Sequence, residues 1–359
     1  MRVKLKDVCE KATSNLKQSD ILSLGGKYPV YGASGYLGNI DSYHQDKPYI
    51  AVVKDGAGIG RTTILPPKSS VIGTMQYLIP KENVMPEYLY YVVKHMRLQK
   101  YYTGATIPHI YFKDYQNEEF NLADLNKQRE IVKVLKNVDN TIRYQEIEIN
   151  KFDELIKARF IEMFGDININ NKNWHTEHLG KLCNIVRGSS PRPIEKYLGG
   201  DIPWIKIGDA TDEDNIYLNS TKEHIIREGV NKSRFVKKGS LIFANCGVSL
   251  GFARIISFDG CIHDGWLALE NIDYRLNKEF LLLSLNQLTD HFRIIAPSGT
   301  QPNLNIAIMQ NFMQVIPPME LQETFVSFRR HVDKSREEVK RSLEKTQQLY
   351  DSLMQEYFG

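Results

Sequence analysis

Sliding the chain against itself by 194 positions brings residues 106–165 onto residues 300–359 without a gap. Thr106, Pro108, Gln116, Asn117, Gln128, Val132, Val138, Asp139, Lys151, Leu155, Glu162, Phe164 and Gly165 recur identically at that offset. Ile110/Leu304, Leu125/Met319, Ile131/Phe325 and Ile149/Leu343 keep their apolar character. Solenoid repeats have periods of about 20–50 residues, so a period this long marks an internal duplication of a whole unit. Any fold proposed for the chain has to be built twice.

The repeated stretch carries a helical pattern. Ile131, Leu135, Val138, Ile142, Ile149, Phe152 and Ile156 alternate steps of four and three, with polar Gln145 and Arg159 in two of the slots. That is a coiled-coil seam. Leu155 and Phe160 widen the stripe, which predicts globular cover on one side. The second copy keeps the phase at Phe325, Val332, Val339, Leu343, Tyr350 and Leu353 and turns polar at Arg329, Arg336 and Thr346. A helix over 123–165 would be roughly 60 Å long. A helix of that length with one apolar stripe needs a partner. The duplicate over 317–359 supplies one within the chain, and a homodimeric coiled coil is the competing arrangement. Asp124 can cap the first helix, Pro317–Pro318 forces an extended start to the second, and Gly165 fits a left-handed cap.

Between the helices lie two globular segments, 1–122 and 166–316. The first alternates short strands with glycine- and tyrosine-rich turns around 28–38, a buried-strand run at Tyr49–Val53, and a helix over Pro86–Tyr101. The second replays it. Leu179–Cys183 answers Leu5–Cys9, Leu241–Gly251 answers Ile50–Gly60, and Glu279–Phe292 answers the helix at Glu87. The fold class is α+β with a mostly antiparallel sheet in each copy, divided 1–122, 123–165, 166–316 and 317–359. The helices repeat more closely than the surfaces between them.

Composition adds bounds. The chain is 42% hydrophobic and 25% charged, with formal charge +3, so a nucleic-acid surface has to come from local clusters. It contains no run of eighteen apolar residues and no N-terminal leader pattern, which predicts a cytoplasmic protein without membrane contact. Cys9, Cys183, Cys246 and Cys261 form no CxxC pair and read as buried reduced thiols. His175, His178 and Cys183 lack a fourth ligand at metal-site spacing.

Catalytic motifs fail one by one. Gly56, Gly58 and Gly60 are spaced GxGxG and precede a strand-like Thr62–Leu65, so turn geometry explains them better than a phosphate loop. GxxxxGK[ST], GxSxG and HExxH do not occur. Glu146, Glu148 and Lys151 fall on the coiled-coil helix as a solvated face. The chain is expected to do no chemistry and to bind no cofactor. Binding remains. Arg187, Ser189, Ser190 and Arg192 form a basic, hydroxyl-rich loop, followed by Lys196 and by Lys206 near Trp204; Arg234 and Lys237 belong to a second basic run. In the first copy Lys54, Arg61 and Lys68 accompany Tyr36 and Tyr77. Such residues supply phosphate positioning, base-edge contacts and stacking.

These features together resemble the specificity subunits of type I restriction–modification systems. The resemblance spans the whole chain. It rests on Tyr28-Pro-x-Tyr-Gly-x-Ser-Gly35, on Asp55-Gly56-x-x-Ile59-Gly60 after a strand, and on Thr-x-Pro-[His/Asn]-[Ile/Leu] at 106–110 and 300–304. The helix starts at Pro317-Pro318-Met319-x-x-Gln322 and Leu125-x-x-Gln128 also fit, although Ala123–Asp124 replaces the proline pair in the first copy. The resemblance implies two target-recognition domains, each reading half of a split, asymmetric duplex DNA site. It implies an antiparallel spacer of two helices that sets the gap and docks two methyltransferase subunits with pseudo-twofold symmetry. By the same resemblance S-adenosylmethionine belongs to the methyltransferases, ATP and Mg to restriction (translocase) subunits that would join them. The alternative is an assembly scaffold that never touches DNA; a weaker one is a catalytic subunit with a disguised nuclease site.

Overall fold

The computed structural model describes residues 1–21, 25–104, 108–211, 216–247, 249–297 and 302–359. Thr106 and Thr300 of the repeated Thr-x-Pro motif lie outside them. The chain divides into two compact units, residues 1–149 with 338–359 and residues 150–337. The cut passes through both long helices, so each unit takes part of each helix, which a linear division of the sequence does not express. No helix among the described residues is long and apolar enough to cross a membrane.

The first unit contains strands β1 (Arg2–Lys4), β2 (Cys9–Thr13), β3 (Tyr28–Gly32), β4 (Gly35–Ile40), β5 (Tyr49–Val53), β6 (Thr62–Leu65), β7 (Ser70–Val71), β8 (Met75–Pro80) and β9 (Glu119–Asn121). They pair as a sheet β2-β8-β5-β6, a sheet β4-β3-β7 and the ribbon β1-β9. Every residue of β5 is buried, because the sheet is covered on both faces. Ile50 and Val52 face one core and Tyr49, Ala51 and Val53 the other, as the two-residue period of a strand requires.

The second unit contains β10 (His175–His178), β11 (Asn184–Arg187), β12 (Leu198–Ile205), β13 (Tyr217–Leu218), β14 (Glu223–Ile225), β15 (Arg234–Val236), β16 (Leu241–Ala244), β17 (Ala253–Ile256), β18 (Gly260–Ile262), β19 (Trp266–Glu270) and β20 (Met313–Ile316). The sheets are β11-β19-β16-β17-β13 and β14-β12-β18-β15, with the ribbon β10-β20. The plan is that of the first unit with β13 and β15 added. Most pairings are antiparallel; β3–β7, β12–β18 and β13–β17 are short parallel ones.

The long helices run Leu125–Phe164 and Met319–Phe358. Asp124 Oδ1 accepts from the amides of Asn126 and Lys127 at 3.0 Å each, and Gly165 closes the first helix at φ +74°. In the first unit Ile131, Val132 and Leu135 share a core with Tyr350, Met354 and Phe358, both groups lying against the helix Pro86–His95. In the second unit Phe325, Val326 and Val332 share a core with Ile156, Phe160 and Phe164 against the helix Lys278–Gln287. The start of one long helix therefore packs with the end of the other in each unit. The pairing is intramolecular and antiparallel.

Two expectations for the seam need correction. It is not continuous: Ile149, Val339 and Leu343 are only half-buried and join no core cluster. Polar contacts replace them, Gln145 Nε2 donating to Ser342 Oγ (2.8 Å) in the first unit and Arg336 pairing with Asp153 and with Asp333 (3.7 Å) in the second. Charged pairing lets Arg329 and Arg336 sink into the interface. Leu155 does not widen the stripe; it is 46% exposed, whereas Phe160 is buried.

One glutamine secures each long helix. Gln128 and Gln322 are fully buried. Gln128 Oε1 accepts from the Met85 amide (2.8 Å), while Nε2 donates to the carbonyls of Asn83 and Ala123. Gln322 repeats the set with the Asn277 amide (2.9 Å) and the carbonyls of Arg275 and Pro317. Each side chain ties the first turn of a long helix to the start of the shorter helix beneath it.

Candidate nucleic-acid interface

Both units build the same ledge at the end of their central strand. After β5 the chain turns through Gly56, Gly58 and Gly60 with φ of +83°, +87° and +78°; after β16 it turns through Gly247 and Gly251 at +80° and +97°. A Cβ on Gly60 would meet the Gln99 amide nitrogen at 2.5 Å, and one on Gly251 the Thr289 carbonyl oxygen at 3.0 Å, so glycine is required by both dihedral and space. The repeated proline segment docks on this turn. Gly56 N donates to Pro108 O and Ile110 N to Lys54 O, as Gly247 N does to Pro302 O and Leu304 N to Asn245 O, all within 2.8–3.2 Å. The variable residue after the proline is thereby presented on the ledge: His109 in one unit, Asn303 in the other.

In the first unit the ledge carries Asp55, which accepts from Lys54 and lies 2.7 Å from His109 Nδ1. Arg61 Nη1 donates to the Ala33 carbonyl at 3.0 Å, on the turn that leads into β4 and Tyr36. Tyr36 is 61% exposed and donates its hydroxyl to Asn39. Lys54 and Arg61 thus adjoin the start of β4 that carries Tyr36, while Lys68 occupies a separate left-handed turn at φ +55°. Tyr77 is not a surface residue. It is fully buried in the core formed with Tyr49 and Val71, its hydroxyl accepting from the Val71 amide (2.9 Å) and bonded to His44 Nδ1. The sheet is covered on both faces at β5 and over the first four residues of β8, so a tyrosine there has no solvent side.

In the second unit the basic loop is fastened to the turn between β18 and β19. Ser190 Oγ donates to Asp264 Oδ1 at 2.7 Å, His263 Nε2 to the same oxygen at 2.8 Å, and Arg192 Nη2 lies 3.5 Å from Oδ2. Arg187 Nε donates to the Asp264 backbone carbonyl at 3.0 Å. Ser189 Oγ donates to the Lys232 carbonyl, and Ser233 Oγ to the Ser189 carbonyl. Arg234 pairs with Ile262 in the β15–β18 register, adjoining the loop. Lys206 pairs with Glu223 and lies 5.5 Å over the Trp204 ring. Lys196 and Lys237 are exposed on other turns and do not join this group.

The electrostatics of the turn are settled by burial and hydrogen bonds. Burial lowers the His263 pKa, and Lys206, Arg192 and Arg187 push the same way against Asp264. The Gly265 amide donates to Nδ1 at 2.9 Å, which leaves the proton of a neutral ring on Nε2, where Asp264 accepts it. Burial works to raise the Asp264 carboxyl, but Ser190, His263 and Arg192 outweigh it and hold it below the usual carboxylate range. The result is an anchored anion that orders two arginines and a serine. Arg187, Arg192, Ile207, Cys246, His263, Asp264 and Asn303 contribute to a cleft of about 430 Å³. Asp264 and His263 carry no sequence signal: they lie more than seventy positions from the loop they organise.

The profile of the type I restriction modification DNA specificity domain matches residues 1–152 and again 171–346, one match to each copy of the frame. The chain belongs to the type I restriction modification DNA specificity family. A curated relative, the type I restriction enzyme MjaIX specificity subunit of Methanocaldococcus jannaschii, is 22% identical over 282 residues, 70% of this chain and 63% of that protein. The chain therefore matches less than two thirds of that relative's length. Among solved structures, the type I restriction–modification S subunit from M. genitalium aligns with a TM-score of 0.62 at 17% identity, covering 100% of this chain and 96% of that one. A chain from work on complex assembly and conformational transition of the type I R-M system aligns at 0.64 and 15% identity, covering 99% and 97%. At these identities the likeness shows a shared fold. Specificity-family membership and the α+β duplicated fold agree with the reading of the sequence.

Proposed function

We propose that this chain is the non-catalytic DNA-recognition subunit of a type I restriction–modification complex, each globular unit reading one half of a split, asymmetric duplex site. The observation that carries this reading is the ledge built twice on one frame with different side chains: His109 and Asp55 in one copy, Asn303 and the Arg187–Arg192 loop in the other. A shared frame with unlike readers suits a site whose halves differ. The paired helices, also duplicated, suit a spacer of fixed length with two similar docking faces for methyltransferase subunits. S-adenosylmethionine, ATP and Mg would then be held by partner subunits, and restriction subunits would join through them.

Duplex binding tests the DNA-reading part. Neutralising six or more phosphates lowers affinity by about a thousandfold or more between about 50 and about 200 mM salt. Fluorescence anisotropy of the full chain on a mixed-sequence duplex should show that steep fall. Binding that is absent, or flat with salt, would favour the protein-only scaffold.

A further inference from the structure

We propose that Arg187 is a base-reading residue of the second unit and that it recognises guanine with its two outer nitrogens, an assignment that rests on the DNA-reading function above. Arg187 is the last residue of β11 and pairs with Leu267 of β19, so its backbone belongs to the rigid sheet. The next residue locks it further. Gly188 donates to the Trp266 carbonyl at 2.8 Å, and a Cβ there would come 2.1 Å from the His263 carbonyl oxygen, so the strand end lies flush on the β18–β19 turn. With Nε held by the Asp264 carbonyl, the guanidinium is fixed in orientation, while Nη1 and Nη2 have no hydrogen-bond partner among the described residues. Two parallel N–H groups in a fixed fork match the O6 and N7 acceptors of guanine in the major groove.

His263 and Asp264, which face Arg187 across the cleft, are already committed. Both nitrogens of His263 are used, and Asp264 accepts from Ser190 and His263 and faces Arg192. Asn303 Oδ1 accepts from Asn245 Nδ2 at 2.9 Å. Arg192 is 79% exposed at the rim, suited to a phosphate rather than a base edge. The first unit lacks the device. In the matching register, β2 against β8, the position of Arg187 is Thr13, which pairs with Gln76. Guanine at this place in the readout is thus expected in only one half of the site.

Selection of the full chain on a randomised duplex library, followed by sequencing of the bound pool, tests this. The wild type should enrich a sequence with at least one strongly preferred guanine. Arg187→Lys keeps the charge and removes the fork; Arg187→Gln removes both. Each should reduce that guanine preference about tenfold to a hundredfold and leave the other positions unchanged, with Arg187→Lys keeping the wild-type salt slope. If the wild type enriches a sequence and both variants enrich the same one equally, Arg187 reads no base, and if Arg187→Lys behaves as wild type while Arg187→Gln weakens all sequences alike, Arg187 is a phosphate contact; either result overturns the assignment. A wild type that enriches no sequence overturns the DNA-reading function itself.

Discussion

Phe164→Ala is expected to destabilise the second unit by about 3–5 kcal/mol, the range for deleting a fully buried aromatic ring. Phe164 is 0% exposed and its ring centre lies 5.0 Å from Phe160, 4.8 Å from Phe280 and 5.5 Å from Phe325. These rings come from both long helices and from the helix Lys278–Gln287. Removing one leaves a void that three separate elements would have to close together, so relaxation can recover little of the loss. The duplicate residue, Phe358, touches Tyr88 and His95 instead and is also buried, so Phe358→Ala should produce its loss in the first unit. Native-state hydrogen exchange locates the effect: faster exchange in 278–287 for Phe164→Ala and in 86–95 for Phe358→Ala. Loss of protection spread evenly over both regions in each variant would contradict the division into two cores.

Gln322→Leu is the second large effect, about 3 kcal/mol. It leaves the buried Pro317 carbonyl and the part-buried Asn277 amide and Arg275 carbonyl without their partner, and one unpaired buried group costs about 1–3 kcal/mol. The added apolar side chain recovers part of that. For a unit of this size the melting temperature should fall by roughly 6–12 °C. Gln128→Leu should cost a similar amount, because its three partners are of the same kind. Differential scanning calorimetry measures both. A near-neutral result at either position would mean that the glutamine is replaceable by shape alone.

The sequence showed the architecture well and the site unevenly, for physical reasons that differ from residue to residue. A 194-position offset and a four–three apolar rhythm mark the two long helices, and the repeated β frame follows from separate matches such as Leu179–Cys183 to Leu5–Cys9 and Leu241–Gly251 to Ile50–Gly60. The middle of the seam was misjudged because half-buried Ile149 and Leu343 look the same in sequence as buried Ile131 and Leu135. Arg329 and Arg336 look solvated until Asp333 and Asp153 are placed beside them. Tyr77 was misplaced because it was grouped with basic residues by type and nearness in sequence, which do not show that its strand is covered on both faces. The basic loop at 187–192 was legible as composition. Its organiser was not: Asp264 joins Arg187, Ser190 and Arg192 only through the pairing of β11 with β19, a long-range contact with no local mark.

The most direct test of the recognition role is to express the chain with a methyltransferase subunit encoded beside it and to map methylated adenines by single-molecule sequencing of the host DNA. The expected result is one split motif, two unlike half-sites separated by a fixed unspecified gap, that disappears when this chain is omitted. Methylation that persists unchanged without the chain, or never forms with it, would contradict the account.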